Sequence, residues 1–156
     1  MATTSRVPAA IDALLAVLEA APELDGVAIV DGPPTTDLTK LDQLFVGWQP
    51  ENMVGVQLTQ DFAGASTRIR DESFEIGCYV ESRSGDTDMK ARRDRVFGLV
   101  AVVEQVLRGT EANPDAASLG GAVLWSHLTA GDLRQVQSAD GALAGVDFTV
   151  TCRARI

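Results

Sequence analysis

From Val146 to Ile156 the chain alternates without a break. Val146, Phe148, Val150, Cys152, Ala154 and Ile156 are apolar, and Asp147, Thr149, Thr151, Arg153 and Arg155 between them are polar. A period of two sustained over that length is satisfied by a β-strand with one buried and one wet face. A wet face belongs to an antiparallel sheet rather than to a parallel one buried on both sides. A second run has the same character: Phe74, Ile76, Cys78 and Val80 face one way, and Glu75, Gly77, Tyr79 and Glu81 the other. Half-buried strands need cover on their apolar face, so the segments with helical period are the next constraint.

Val7, Ile11, Leu14, Leu15 and Leu18 recur at helical spacing, with Ser5 or a neighbour in place to cap, Pro8 tolerated in the first turn and Pro22 as terminator. A second helix is predicted to open at Ser84-Gly85-Asp86, run to about Arg108 and stop at Gly109. Asp86–Lys90, Asp88–Arg92 and Glu104–Arg108 are spaced as favourable i,i+4 pairs. Met89, Val96, Phe97, Val100, Val103 and Leu107 form its expected core stripe, and Leu99, Val102 and Val106 form a second one. A surface helix needs only one apolar stripe, so the second predicts either cover by a neighbour or a second core layer within the subunit.

Between these elements, Val27 to Val30 reads as a strand stopped by Asp31-Gly32-Pro33-Pro34, Gly32 to Gln43 as a loop, and Leu44 to Trp48 as a second strand. Val54, Val56 and Leu58 alternate as a third, and Asp61 to Ser66 reads as a loop. After a loop from Gly109 to Gly121, Val123–Leu128 and Leu133–Ser138 read as two strands joined by a turn at Ala130-Gly131-Asp132, with another turn at Asp140-Gly141. The expected fold is a single α+β domain over residues 1–156, a mostly antiparallel or mixed sheet with two helices packed on one face.

Hydrophobic residues make up 46% of the chain, enough to build a core, so disorder is not the default. The longest apolar stretch, around Leu99 to Val103, is too short to span a bilayer, and the opening MATTSRVPAA lacks the pattern of a secretory leader. No membrane association is expected. Basic residues number 13 against 22 acidic, a net charge of −9 that argues against tight binding of a phosphate backbone. Residues 1–64 carry most of it, with two basic residues against nine acidic ones. Cys78 and Cys152 lie on the apolar sides of their alternations and read as reduced core thiols; a disulfide requires their strands to be neighbours.

Reactive chemistry is hard to find. His127 is the one histidine, with no local nucleophile or orienting acid. One histidine and two separated cysteines make no zinc or calcium motif, and Gly120-Gly121 precedes a strand rather than a phosphate-binding helix. Asp31, His127 and Arg134 are the candidates for a small-ligand pocket, and no spacing links them. Lys90-Ala91-Arg92-Arg93-Asp94-Arg95, with acids interleaved, reads as a solvated or salt-bridged helix face or as a docking surface for a partner's acidic groups.

Four stretches set the whole-chain layout: Val27-Ala28-Ile29-Val30-Asp31-Gly32 after the opening helix; Phe74-Glu75-Ile76-Gly77-Cys78-Tyr79-Val80 leading through Ser84-Gly85-Asp86 into the second helix; Leu119-Gly120-Gly121-Ala122-Val123-Leu124-Trp125; and Gln137-Ser138 with Asp140-Gly141-Ala142 and Phe148-Thr149-Val150-Thr151-Cys152. In this layout the chain resembles the tail terminator proteins of actinobacteriophages of the siphovirus type, related in fold to the lambda-type terminator. The resemblance implies a virion structural protein, an α+β subunit forming a homo-hexameric ring that ends polymerisation of the phage tail tube. It implies no catalytic residue and no cofactor. The implied partners are other copies of the chain, the tail tube protein and a head-completion or connector protein. DNA would pass through the ring without specific binding. The implied place is the head–tail junction of the virion, after synthesis in the host cytoplasm.

For subunit interfaces the residues offer Leu99, Val102 and Val106 on the second stripe and Arg92, Arg93 and Arg95 on the charged face. Asp61, Phe62, Arg68, Arg70 and Asp71 are the candidates for loop contacts. Two other readings stay open: a different head–tail joining or tail completion protein, and a small-ligand-binding module or enzyme.

Overall fold

The structure, a computed structural model, describes residues 3–35 and 39–156. Part of the expected Gly32–Gln43 loop, residues 36–38, and the first two residues of the chain lie outside the described residues. The described elements, in chain order, are α1 (Val7–Ala20), β1 (Ala28–Asp31), β2 (Asp42–Val46), β3 (Val56–Phe62), β4 (Arg70–Ser84), α2 (Met89–Val106), β5 (Trp125–Ser138) and β6 (Gly141–Arg155).

The strands form one sheet in the order β1-β2-β4-β6-β5, with β3 also on β4. β1 and β2 run parallel and all other pairs are antiparallel, so the fold is α+β with a mixed sheet. β4 is the spine. Its first half pairs with β3 through Arg70–Ile76, its second half with β2 through Cys78–Ser82, and its whole length with β6. Gly77 sits at the change of partner, its N–H donating to the Gly55 carbonyl at 2.9 Å and its carbonyl accepting from Gly47 N–H at 2.8 Å.

The alternation placed both long strands correctly. Phe74, Ile76, Cys78 and Val80 of β4, and Val146, Phe148, Val150, Cys152 and Ala154 of β6, lie buried on one face. Ala10, Leu14 and Leu18 of α1 and Val96, Leu99 and Val103 of α2 join them in one core, so both helices cover that face. Burial of this size supplies the main stabilisation of such a fold.

Several boundaries differ from the sequence expectation. β3 continues through Asp61 and Phe62, and β4 begins at Arg70, so the expected Asp61–Ser66 loop is a hairpin whose tip is residues 63–69. β5 is a single strand, not two: Ala130, Gly131 and Asp132 stay paired to Thr149, Phe148 and Asp147, and the irregularity is a bulge between Leu128 and Ala130. A turn signal in sequence marks equally well a bulge on an edge strand, where the extra residue faces solvent.

Helix α1 begins within the expected range, next to Ser5. Arg6 is its N-cap and offers no side-chain bond, while Ser5 Oγ accepts from Val7 N–H at 3.0 Å. The terminus is closed by a distant residue, Glu72, fully buried on β4. Its carboxylate accepts from Arg6 N–H at 2.8 Å, Ser5 Oγ at 2.5 Å and Gln60 Nε2 at 3.0 Å. A negative group against the positive end of α1 is the favourable polarity. At α2, Asp88 is the cap, accepting from Ala91 N–H at 3.0 Å. Asp86 and Asp88 therefore precede the helix, and the pair that forms there is Lys90–Asp94. Glu104–Arg108 forms as expected.

Cys78 and Cys152 are free and buried on neighbouring strands. The register sets Cys78 opposite Phe148 and Cys152 opposite Phe74, so the two thiols do not face each other. Burial pushes both thiols up to about 12. Both are expected to resist alkylation near pH ~8 in the folded protein and to react once it is denatured. Fast native labelling, followed by mass spectrometry, would contradict their placement.

Candidate assembly surfaces

Helix α2 presents less apolar surface than its sequence implies. Val96, Leu99, Val103 and Leu107 are fully buried, and Val102 and Val106 are half-buried against the same core. Leu99, 1% exposed, is thus corrected from interface candidate to core residue. Phe97, expected in the core, is 48% exposed instead. The C-terminal half of α2 is apolar nearly all round, so spacing alone cannot phase it, and the sheet chose the Val96–Leu99–Val103 line.

The three arginines of α2 are engaged within the subunit. Arg92 donates to Ser82 Oγ at 2.8 Å, Arg93 to Gln135 Oε1 at 2.9 Å, and Arg95 to Asp42 Oδ2 at 2.9 Å. They tie the helix to β4, β5 and β2.

The loop candidates fall at the β3–β4 hairpin. Phe62 is 72% exposed at the end of β3, and Ile69 is exposed across the tip, where Ala63 N–H donates to the Ile69 carbonyl at 2.9 Å. Asp61 pairs with Asp71 in the ladder. Asp71 is a strand residue held by two cations of β6, Arg155 at 2.8 Å and Arg153 at 3.4 Å. The Arg155 hydrogen bond holds its carboxyl below the usual carboxylate value. Arg68 lies in the tip and Arg70 at the first position of β4.

The sheet face away from the helices is not simply wet. Tyr79 is buried there, stacked on Phe45 with ring centres 6.0 Å apart, and Trp48 packs edge-on against both. Burial raises the Tyr79 phenol, which donates to Glu81 at 3.2 Å. The 47–55 excursion brings Trp48 onto this face and reaches across the sheet, where Gln49 Nε2 donates to the Phe148 carbonyl at 2.9 Å. Glu51 lies 3.4 Å from Arg134 of β5, whose main partner is Asp147 at 2.7 Å. Sequence alternation placed Tyr79 outward correctly, yet nothing local announced that Phe45 and Trp48 would cover it.

The three small-ligand candidates are not brought together. Asp31 ends edge strand β1, whereas His127 and Arg134 lie on β5, the opposite edge, with β2, β4 and β6 between. His127 is exposed beside the Trp125 ring, centres 5.0 Å apart. Among the described residues no group of three or more His, Cys, Asp or Glu is placed to hold a metal ion, and no helix is long and apolar enough to cross a membrane.

Three strands have an unpaired side among the described residues: short β1, beyond β2, and two longer ones. β3 is unpaired on its side away from β4, and β5, from Trp125 to Ser138, is unpaired on its side away from β6. Such edges carry unused backbone donors and acceptors in register for another strand.

No family model matches the chain, and no curated protein sequence matches it. Among solved structures it is similar to a chain from the "Virion of native gene transfer agent (GTA) particle", at 14% identity and a TM-score of 0.56, over 99% of this chain and 100% of that one. The two share a fold from end to end.

Proposed function

We propose that this chain is a structural subunit of a phage-like virion: a tail terminator, copies of which form a hexameric ring on the end of the tail tube. The carrying observation is the end-to-end likeness in fold to a chain of a gene transfer agent virion, with neither chain bearing a large extra part. The open edges of β3 and β5 and the exposed Phe62, Ile69 and Phe97 support a subunit that buries surface against others. Candidate contacts are Phe97 with the half-buried Val102 and Val106, the Arg92–Arg93–Arg95 face, and the β3–β4 hairpin at Asp61, Phe62 and Arg68. One face of the ring meets the tube protein, and the other meets a head-completion or connector protein. The net charge of −9 suits a lumen that DNA traverses without being held.

Deleting the gene is expected to give tails of uncontrolled length, measured by negative-stain microscopy of lysates, with plasmid-borne wild-type restoring uniform length. Tails of normal length that fail to join heads would instead identify a joining protein. Normal, infectious particles lacking the chain would overturn both.

A further inference from the structure

One end of the molecule carries a cleft of about 580 Å³ lined by four arginines, Arg6, Arg68, Arg70 and Arg155, and by the backbone of Gly121–Leu124. Such a cluster is unexpected in a chain of net charge −9. Among the described residues no Asp or Glu side chain lines it. Arg155 is occupied by Asp71, and Arg6 Nε donates to the Ala122 carbonyl at 2.9 Å. The guanidinium groups of Arg68 and Arg70 have no hydrogen-bond or ion-pair partner among the described residues. Even a carboxylate at Ile156, whose backbone pairs with that of Arg70, offsets one charge and leaves an excess of positive charge. Like charges gathered in a concave site repel unless an anion joins them.

The matching anion lies at the opposite end of the same molecule. Helix α1 begins at Arg6 beside the cleft and ends near Glu19, which is followed by Glu23 and Asp25. These three carboxylates are exposed and have no partner among the described residues; among those residues Lys40 is the one cation lining the groove that holds Glu19 and Asp25. Through the ladder, Ala28 pairs with Gln43 and Gln43 with Glu81, while the cleft end is marked by Glu72 on the same strand. The extended stretch of β4 from Glu72 to Glu81 sets the two ends about 30 Å apart. A site at one end complementary to a site at the other makes a heterologous interface, which closes into a ring when the rotation permits.

We propose that the arginine cleft is the socket for the Glu19–Glu23–Asp25 end of the next copy, so that one contact, repeated head to tail, builds the ring. This rests on the reading of the chain as a ring-forming subunit and names the contact that reading needs. Other anions, a nucleic-acid phosphate or an acidic segment of another protein, are outcomes of the test.

The full chain is followed by sedimentation at low and high ionic strength. Self-association is expected, weakening with salt. Arg68→Glu with Arg70→Glu, and separately Glu23→Arg with Asp25→Arg, are each expected to weaken it at least about a hundredfold, since each replaces attraction with repulsion at two contacts. Mixing the two variants is expected to recover much of the lost association. The reversed, acidic cleft of the first then meets the reversed, basic end of the second. The unaltered cleft of the second meets the unaltered acidic end of the first, so both kinds of contact are matched only in alternation. Arg68, Glu23 and Asp25 are exposed and Arg70 is half-buried, and unchanged circular dichroism and melting temperature confirm folding. Association that survives both reversals overturns the proposal while leaving a ring built on other contacts. A mixture that stays dissociated overturns the pairing of this cleft with this end. A chain monomeric at millimolar concentration and low salt overturns it as well. If the cleft variant instead loses retention on a DNA column with no change in mass, the cleft belongs to phosphate and the proposal fails.

Discussion

Gly141→Ala is expected to lower stability by about 4 kcal/mol and the melting temperature by roughly 10 °C, read by calorimetry. Gly141 opens β6 directly after the turn from β5 and has φ of +115°, a region closed to ordinary side chains. A Cβ there would stand 2.0 Å from the Ser84 carbonyl oxygen and 2.9 Å from Gly85 Cα. Those are backbone atoms at the end of β4, and the turn that holds them is itself pinned by the Ala142 N–H to Asp86 carbonyl bond at 2.8 Å. Neither partner can swing aside as a side chain would, so backbone strain and overpacking of about 1–3 kcal/mol each add together. Gly85→Ala is the control: nothing lies within 4 Å of its Cβ position, and its cost is expected to stay within about 1 kcal/mol. Equal melting of the two variants would refute the close approach.

Glu72→Ala is expected to cost about 3 kcal/mol, measured by denaturant midpoint. The substitution removes the acceptor for three donors and leaves a void under the start of α1. Ser5 and Gln60 can turn toward water; the Arg6 amide is fixed by the backbone and cannot. Glu72→Gln keeps an oxygen for Arg6 N–H, and the Ser5 hydroxyl and Gln60 amide can each reorient to accept, so most of the loss is expected to be restored. The loss should be local as well as global, with the Arg6 and Val7 amides exchanging faster with solvent in Glu72→Ala. Unchanged exchange there would show that Glu72 does not close the helix.

The sequence announced those parts of the fold whose burial is periodic. β4 and β6 were visible because each keeps one face in the core for its full length, so Phe74–Val80 and Val146–Ala154 alternate cleanly. The β3–β4 hairpin was hidden because its end is wet on both faces, leaving Asp61, Phe62 and Asp71 without a pattern. Helix α2 was recognised but misphased at Leu99 and Phe97, since valines line most of its circumference. The helix-closing role of Glu72 and the aromatic cover over Tyr79 could not be read. The surroundings of these two residues come from Ser5, Gln60, Phe45 and Trp48, segments related to them only by the fold. Of the candidate site, the arginines of α2 were legible as a charged, salt-bridged face but not by their partners Ser82, Gln135 and Asp42 on other elements, and Arg68 and Arg70 were legible as a contact region but not as part of a four-arginine cleft.

The bulge in β5 governs how strangers may approach. From Trp125 to Ser138 that strand offers an open rail of backbone groups, and a straight rail would zip onto any extended peptide. The slip between Leu128 and Ala130 breaks it into a short track, Trp125–Leu128, and a longer one, Ala130–Ser138, out of register with each other. Only a surface already shaped to that kink can engage both halves together, which lets such a molecule remain selective at high concentration while leaving its flank bare.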